Sequence, residues 1–475
     1  MRDRRFRTAA IALALAALAS SPATAGDDGT VEYFDGGSLR TEVRLSLGFL
    51  YGLGARPDGL GAPVSTCSSG LSAVGGNAAG LAFVPEGGIL LDVLPPVGAS
   101  LTDIVDLESR AETAIDESLE DVADDDLDPT YPSLSASAGQ QPGLVSGALV
   151  LRLGNVVAGV AIEEPATLRL DLVENGIEAF AGGTKSEDEG DVDVEMRGFA
   201  DAVCDLSFEI DRTTAALATA VTPELGLGAT FSRYHARAAV DGVLRGDGIV
   251  NYGGQEYSFN DDGDAWENDL GGSISGSFEG EAFGWSVGAS YRRFDWLTLD
   301  VHYSAAPEIQ MRGQLVSVES MPAAATEDGI ELSEISASQP TLTETTVDID
   351  DDPMVLELPS HAAAAATARL GPALLTLECR VYGSGLGMRH DDYSEGVELD
   401  YGAGLELAVG ALRLGGGALS GRLVGESADE QESTAVLIPL ANLGMAMEFG
   451  ENIGADLMVL ALPMQVARVS VTYGF

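Results

Sequence analysis

The stretch "QVARVSVTYGF" (residues 465–475) decides how the rest of the chain is read. In an extended strand, side chains alternate between two faces, so Ala467, Val469, Val471, Tyr473 and Phe475 share one face while Arg468, Ser470, Thr472 and Gly474 share the other. One side is greasy, the other polar. A soluble sandwich would turn the greasy side to a core, and its last strand could end on any residue. The eleven residues fit both architectures, and the remainder of the chain chooses between them.

The first residues set the compartment. "MRDRRFR" is a basic start, "TAAIALALAALAS" an apolar run too short to span a bilayer, and "PATAG" offers small residues at Ala23 and Ala25. These are the parts of a cleaved secretory leader, expected over residues 1–25. With no Cys beside the cleavage point, a lipoprotein anchor is not expected. No later run reaches 18 apolar residues, which excludes a bundle of membrane helices, although membrane-crossing strands leave only a weak alternating trace.

Composition narrows the partners. The formal net charge is −50, or about −53 once the leader's four Arg and one Asp are discounted, and this excludes nucleic acid. Lys185 is the single lysine among 25 basic residues. Three cysteines, Cys67, Cys204 and Cys379, cannot all pair within one chain, and none has a metal-ligand spacing; a Cys67–Cys204 bridge is one possibility in an oxidising compartment.

Alternating segments recur in pairs along the chain. "FGWSVGASY" and "LTLDVHYS" flank "RRFD" (292–295), giving a hairpin with aromatic residues toward the strand ends. Five further pairs flank "RLGN" (152–155), "VTPE" (221–224), "LGPA" (370–373), "VGA" (409–411) and "GENI" (450–453). Adding an opening strand at "GGILLDVL" and the closing one gives fourteen. That even count, with short turns on one rim and long loops on the other, predicts a closed antiparallel transmembrane β-barrel of the bacterial outer membrane. The long loops are expected at 97–142, 164–212, 241–282 and 305–360, with shorter ones at 384–396 and 424–435. A terminal aromatic after alternating apolar residues is what such a barrel turns toward lipid. "HAAAAATARL" (361–370) alone would read as helix, because Ala is the best helix former, and only its position before a turn argues for strand.

Charge gathers in the expected loops: "DIVDLESRAETAIDESLEDVADDDLD", "KSEDEGDVDVE", "NDDGDAWEND" and "DIDDDP". The first also spaces Leu101, Ile104, Val105, Ile115, Leu119 and Val122 for a short amphipathic helix. The runs read mainly as a solvated, repulsive surface; "DDGDAWEND" clusters oxygen ligands without the full calcium-loop pattern.

Before the first strand, "TCSSGLSAVGGNAAGLAF" ends a segment judged too rich in Gly and Ser to form strands. It resembles the FadL/TodX family of outer-membrane transporters for long-chain fatty acids and aromatic hydrocarbons, whose plug carries an Asn-Pro-Ala-Gly-Leu motif. Asn77, Ala78, Ala79, Gly80 and Leu81 match it here, with Ala78 in the place of proline. "GDAWENDLGG" through "FGWSVGASYRRFDWLTLDVHYSAAPEIQMRGQL" and "LELPSHAAAAATARLGPALLTLECRVY" resemble the same family further on. The resemblance implies a barrel over residues 88–475 plugged by residues 26–87, passing hydrophobic small molecules without catalysis, with Asn77 to Leu81 and Phe83 as gating residues. It also implies contact with outer-membrane lipid and lipopolysaccharide, insertion by the barrel-assembly machinery through the last strand, and a monomer.

Catalytic motifs are missing: the four His (His235, His302, His361, His390) stand in no recognisable constellation, and no metal site or cofactor is expected. By strand parity Asp300, His302, Glu378, Arg380, Glu406, Arg413 and Arg468 point into the lumen. Most would anchor plug to wall. Were the cargo a carboxylate, Arg380, Arg413 and Arg468 would be its partners, because the guanidinium grips a carboxylate with a paired fork. The alternative to transport is an acidic surface barrel with a structural or adhesive role.

Overall fold

The computed structural model describes residues 31–34, 37–46, 70–100, 109, 112–113, 130–187, 190–252, 254–258, 270–321, 325–326, 329–330, 341–348, 354–358, 360–382, 386–390, 393–409, 412–427, 430–449, 452–461 and 465–475. Fourteen strands close a ring: β1 (Gly88–Leu94), β2 (Gly143–Leu153), β3 (Val156–Glu187), β4 (Gly190–Ala220), β5 (Leu225–Tyr252), β6 (Leu270–Phe294) and β7 (Leu297–Ala305). The second half is β8 (His361–Leu370), β9 (Ala373–Tyr382), β10 (Tyr393–Val409), β11 (Leu412–Ser427), β12 (Glu430–Phe449), β13 (Ile453–Ala461) and β14 (Gln465–Gly474). Each pairs antiparallel with the next, and β14 closes on β1 from Val469 opposite Val93 to Gly474 opposite Gly88. Closure leaves the ring without an unpaired edge, which is what hydrocarbon demands of a sheet.

The opening stretch falls as its alternation predicts. Val471, Tyr473 and Phe475 are exposed on the outer face, while Arg468 and Ser470 are buried on the inner one. Around the ring an outward apolar band includes Leu91, Leu217, Val287 and Val301. Aromatic pairs rim it: Phe231 with Phe283 at 5.5 Å and Trp285 with Tyr303 at 5.4 Å on one side, Phe294 with Trp296 at 5.8 Å and Tyr473 with Phe475 at 6.3 Å on the other. Such girdles mark the two interfaces of a barrel with its bilayer. No helix among the described residues is long and apolar enough to cross a membrane.

The turns of one rim are tight. Gly154 and Gly371 take φ of 67° and 65°, a region open chiefly to glycine, at the β2–β3 and β8–β9 turns. The β6–β7 turn lies at Asp295–Trp296, beyond most of "RRFD", because the register slips between Tyr291 and Phe294. "HAAAAATARL" is β8; pairing on both sides overrides its helical preference.

Two expectations need correcting. Much of what was expected as long loops is wall: β3 runs 32 residues and β4 31, and β5 and β6 continue likewise. Their outer halves are polar on the outward face, so an apolar alternation does not reveal them. β7 continues past Ala306–Pro307 as Glu308–Met321, and Met354–Glu357 leads toward β8. Second, residues 26–87 are not all plug. Val31–Phe34 and Ser38–Ser46 are strands of the outer wall. Ser38–Ser46 pairs antiparallel with β3, from Asn175 to Thr167, and parallel with Ser133–Gly139, the one parallel pairing among the described residues. It fills the space left where the β2–β3 ladder stops at Ser146 and Glu163. Of the expected outer helix only Ser109, Glu112 and Thr113 are described, and they are helical. Cys67 and "NDDGDAWEND" lie outside the described residues, as does most of "DIDDDP".

Candidate functional site

The segment Gly70–Val84 lies within the ring as two short 3₁₀ turns, Gly70–Val74 and Ala78–Phe83. Asn77 makes the second turn possible: its Oδ1 accepts from Ala79 N at 3.2 Å, capping a turn that has no proline to fix it. Gly80 N donates to Asn77 O at 3.1 Å and Val84 N to Leu81 O at 3.0 Å. Asn77, Ala79 and Leu81 are fully buried, Ala78 and Gly80 nearly so, and Phe83 lies half-buried under the Arg292 guanidinium at 4.5 Å.

The wall accommodates this hatch by giving up side chains. A Cβ on Gly226 would stand 2.7 Å from Ala79 O, and one on Gly159 would stand 2.7 Å from Val74 Cγ2. Gly228 and Gly288 face Ala78, Ala79 and Asn77 even more tightly. Small wall residues Ala148, Ala161, Ala216 and Ala218 complete an apolar cluster with Val74 and Leu81. Polar anchors sit at its margins. Arg212 Nη2 donates to Gly75 O at 2.8 Å while pairing with Glu163 at 2.7 Å. Arg152 donates to Val84 O, and Asn77 Nδ2 to Val301 O at 3.4 Å.

The candidate carboxylate-binding arginines are placed as follows. Arg468 is buried against Asp92, whose carboxylate also accepts from Ser146 at 2.5 Å and from Ser470. Arg380 is buried with its Nε 2.5 Å from Glu378 Oε1. Both guanidiniums are therefore committed to wall carboxylates. The side chain of Arg413 lies outside the described residues.

Beyond the hatch the inner wall turns apolar. Ile210, Ala236, Ile309, Met311 and Leu356 are buried on the bore side, with Phe208 and Phe278 packed against them. Sequence reading missed this patch because it lies where loops were expected. The outward face at the same height is charged instead. Arg237 bridges Glu209 and Asp211 at 3.1 and 2.7 Å, and these two carboxylates with Glu164 have oxygens within 4.8 Å of one another. Further out, Glu42, Asp171, Asp205 and Asp241 stand directly opposite one another on adjacent strands. A hydrogen bond shared with Asp171, then burial and the charges of Asp171 and Asp241, raises the Asp205 carboxyl above its ordinary range.

No protein-family model matches the chain, and no curated protein matches it in sequence. Among solved structures, a Pseudomonas aeruginosa FadL homologue matches with a TM-score of 0.46 and 13% identity, covering 91% of this chain and 98% of that one. The Pseudomonas putida toluene transporter TodX matches with a TM-score of 0.43 and 12% identity, covering 90% and 99%. Over about nine-tenths of its length the chain is similar to these two proteins, of the family whose motifs its own sequence resembles.

Proposed function

We propose that the protein is an outer-membrane channel for passive uptake of small hydrophobic molecules, gated by the hatch around Asn77 to Phe83. The observation that carries this reading is the apolar inner wall of Ile210, Ala236, Ile309, Met311 and Leu356. A water-filled porin lines its bore with polar residues, so apolar side chains on that face favour apolar cargo. Arg380 and Arg468 are each paired with a carboxylate, which favours an uncharged compound such as an alkyl-aromatic over a fatty acid.

Uptake of labelled toluene and of labelled oleate, in cells with and without the gene, tests the reading. Expected is a several-fold gain for toluene that Met311→Glu abolishes while the barrel still assembles. Equal uptake with and without the gene refutes it. The structural or adhesive alternative rests on the buried pairs Asp92–Arg468, Glu378–Arg380 and Glu163–Arg212, and that outcome would favour it.

A further inference from the structure

Asp300 and His302 sit two residues apart on the bore face of β7, and β8 beside it begins with His361. His302 lies opposite Ala363 and Ser304 opposite His361, so the two histidines are diagonal neighbours on one face of the sheet. Ala363 and Ala365, small and buried, stand between Asp300 and His302 on one side and Glu378 and Arg380 of β9 on the other.

Three features of this corner point to a ligand. His302 is 93% buried, yet neither of its ring nitrogens has a hydrogen-bond partner, and Oδ1 of Asp300, 97% buried, has none either. Leaving such atoms unmatched costs free energy that a bound group would recover. The imidazole rings of His302 and His361 meet edge-on, with centroids 5.6 Å apart and planes at 60°. Two imidazoles that each place a nitrogen 2.0–2.1 Å from one ion at tetrahedral to trigonal angles have centroids about 5 to 6 Å apart, so ring rotation alone would aim both at a common point.

We infer that His302 and His361 form a binding site for a borderline divalent transition ion such as Zn²⁺, with the Asp300 carboxylate on the same face as an acceptor for ion-bound water. Imidazole nitrogen selects zinc, nickel or copper over calcium and magnesium, which want oxygen alone. The positive charges of Arg380 and Arg212 reach His302, and their carboxylate partners Glu378 and Glu163 offset part of that repulsion. The bound ion staples β7 to β8 beside Val301, whose carbonyl accepts from Asn77 of the hatch. No spacing in the sequence announces the site, since its histidines meet only through the pairing of β7 with β8.

The test uses full-length protein in detergent, stripped with chelator, with Zn²⁺ by equilibrium dialysis and Co²⁺ by its visible absorption. Expected are saturable binding of about one ion per chain through imidazole and loss of at least about tenfold in affinity in His302→Ala and in His361→Ala. Calcium at equal concentration does not displace zinc, and Glu164→Gln, altering the outward acidic trio, leaves binding unchanged. His302→Gln, which keeps a polar side chain, serves if the alanine variant fails to fold, and its loss of binding is expected too. Wild-type affinity in a folded His302 variant, or displacement of zinc by calcium, overturns the inference. The readout is ion binding, so it stands or falls apart from any uptake result.

Discussion

Replacing Gly226 by alanine should loosen the hatch while sparing the barrel. The added Cβ would lie 2.7 Å from Ala79 O, 2.8 Å from Ala82 Cβ and 2.9 Å from Phe83 Cε2. Each is about 0.5 to 0.7 Å short of ordinary 3.4 Å contact, and the wall cannot yield because Gly226 is laddered to Ala220 of β4 and Ser290 of β6. The hatch has to retreat instead. Overpacking of this kind costs roughly 1 to 3 kcal/mol, which lowers the docked-to-undocked ratio by about 5- to 150-fold. Amide exchange by mass spectrometry reads it directly: peptides spanning Gly80 and Val84, whose amides are bonded to Asn77 and Leu81, should exchange faster by that factor. Ala229→Val, three residues on and facing outward, is the control and should change nothing. Unchanged exchange across residues 70–84 in a folded Gly226→Ala barrel would refute the close approach of hatch to wall.

Three further outcomes follow from the wall. Asp92→Asn leaves buried Arg468 without its counter-charge and should lower stability by about 3 to 5 kcal/mol, read as an earlier urea midpoint, whereas Asp92→Leu with Arg468→Met should come close to wild type. Deleting Phe475 removes the bond from its amide to Gly87 O at 3.0 Å and an outward ring at the closing seam; the yield of folded, heat-modifiable barrel should fall in a membrane-assembly assay. The raised Asp205 carboxyl means that the folded wall holds a proton more tightly than the unfolded chain does. Its stabilisation is therefore complete below the ordinary carboxylate range and is lost as pH rises through the displaced value, so calorimetry from pH 4 to 8 should show a decline that Asp205→Asn flattens.

How legible the fold was in the sequence depended on where lipid lies. Strands inside the apolar band alternate sharply, as Val469 to Phe475 do, and all but β8 could be located from that contrast; the alanine run of β8 was placed only by its position before a turn. Above the band water bathes the outward face, and rows such as Glu209, Arg237 and Glu279 alternate with an apolar interior of Phe208, Ala236 and Phe278, the reverse of the greasy-outside pattern that marks the band. Ser38–Ser46 was legible in principle: Leu39, Thr41, Val43 and Leu45 alternate with Arg40, Glu42 and Arg44, but the surrounding glycines and serines masked the period. Asn77 to Leu81 stood out by resemblance, whereas the glycines that receive them are distant in sequence and gain meaning only once the ring closes. The ion pair of Arg468 with Asp92 was invisible for the same reason, whereas Glu378 and Arg380 stand two apart on one face of β9, where parity alone makes them neighbours.

The strand Ser38–Ser46 carries a lesson about biogenesis. It occupies the wall beyond the lipid band, on the far side from the hatch, yet it belongs to the portion of the chain synthesised first. Its two flanking partners, β3 and Ser133–Gly139, are both made later, so it can pair on neither side until they emerge. Pairing of sequence neighbours, hairpin by hairpin, does not by itself build this part of the cylinder. A stave made early waits for partners that lie far along the chain.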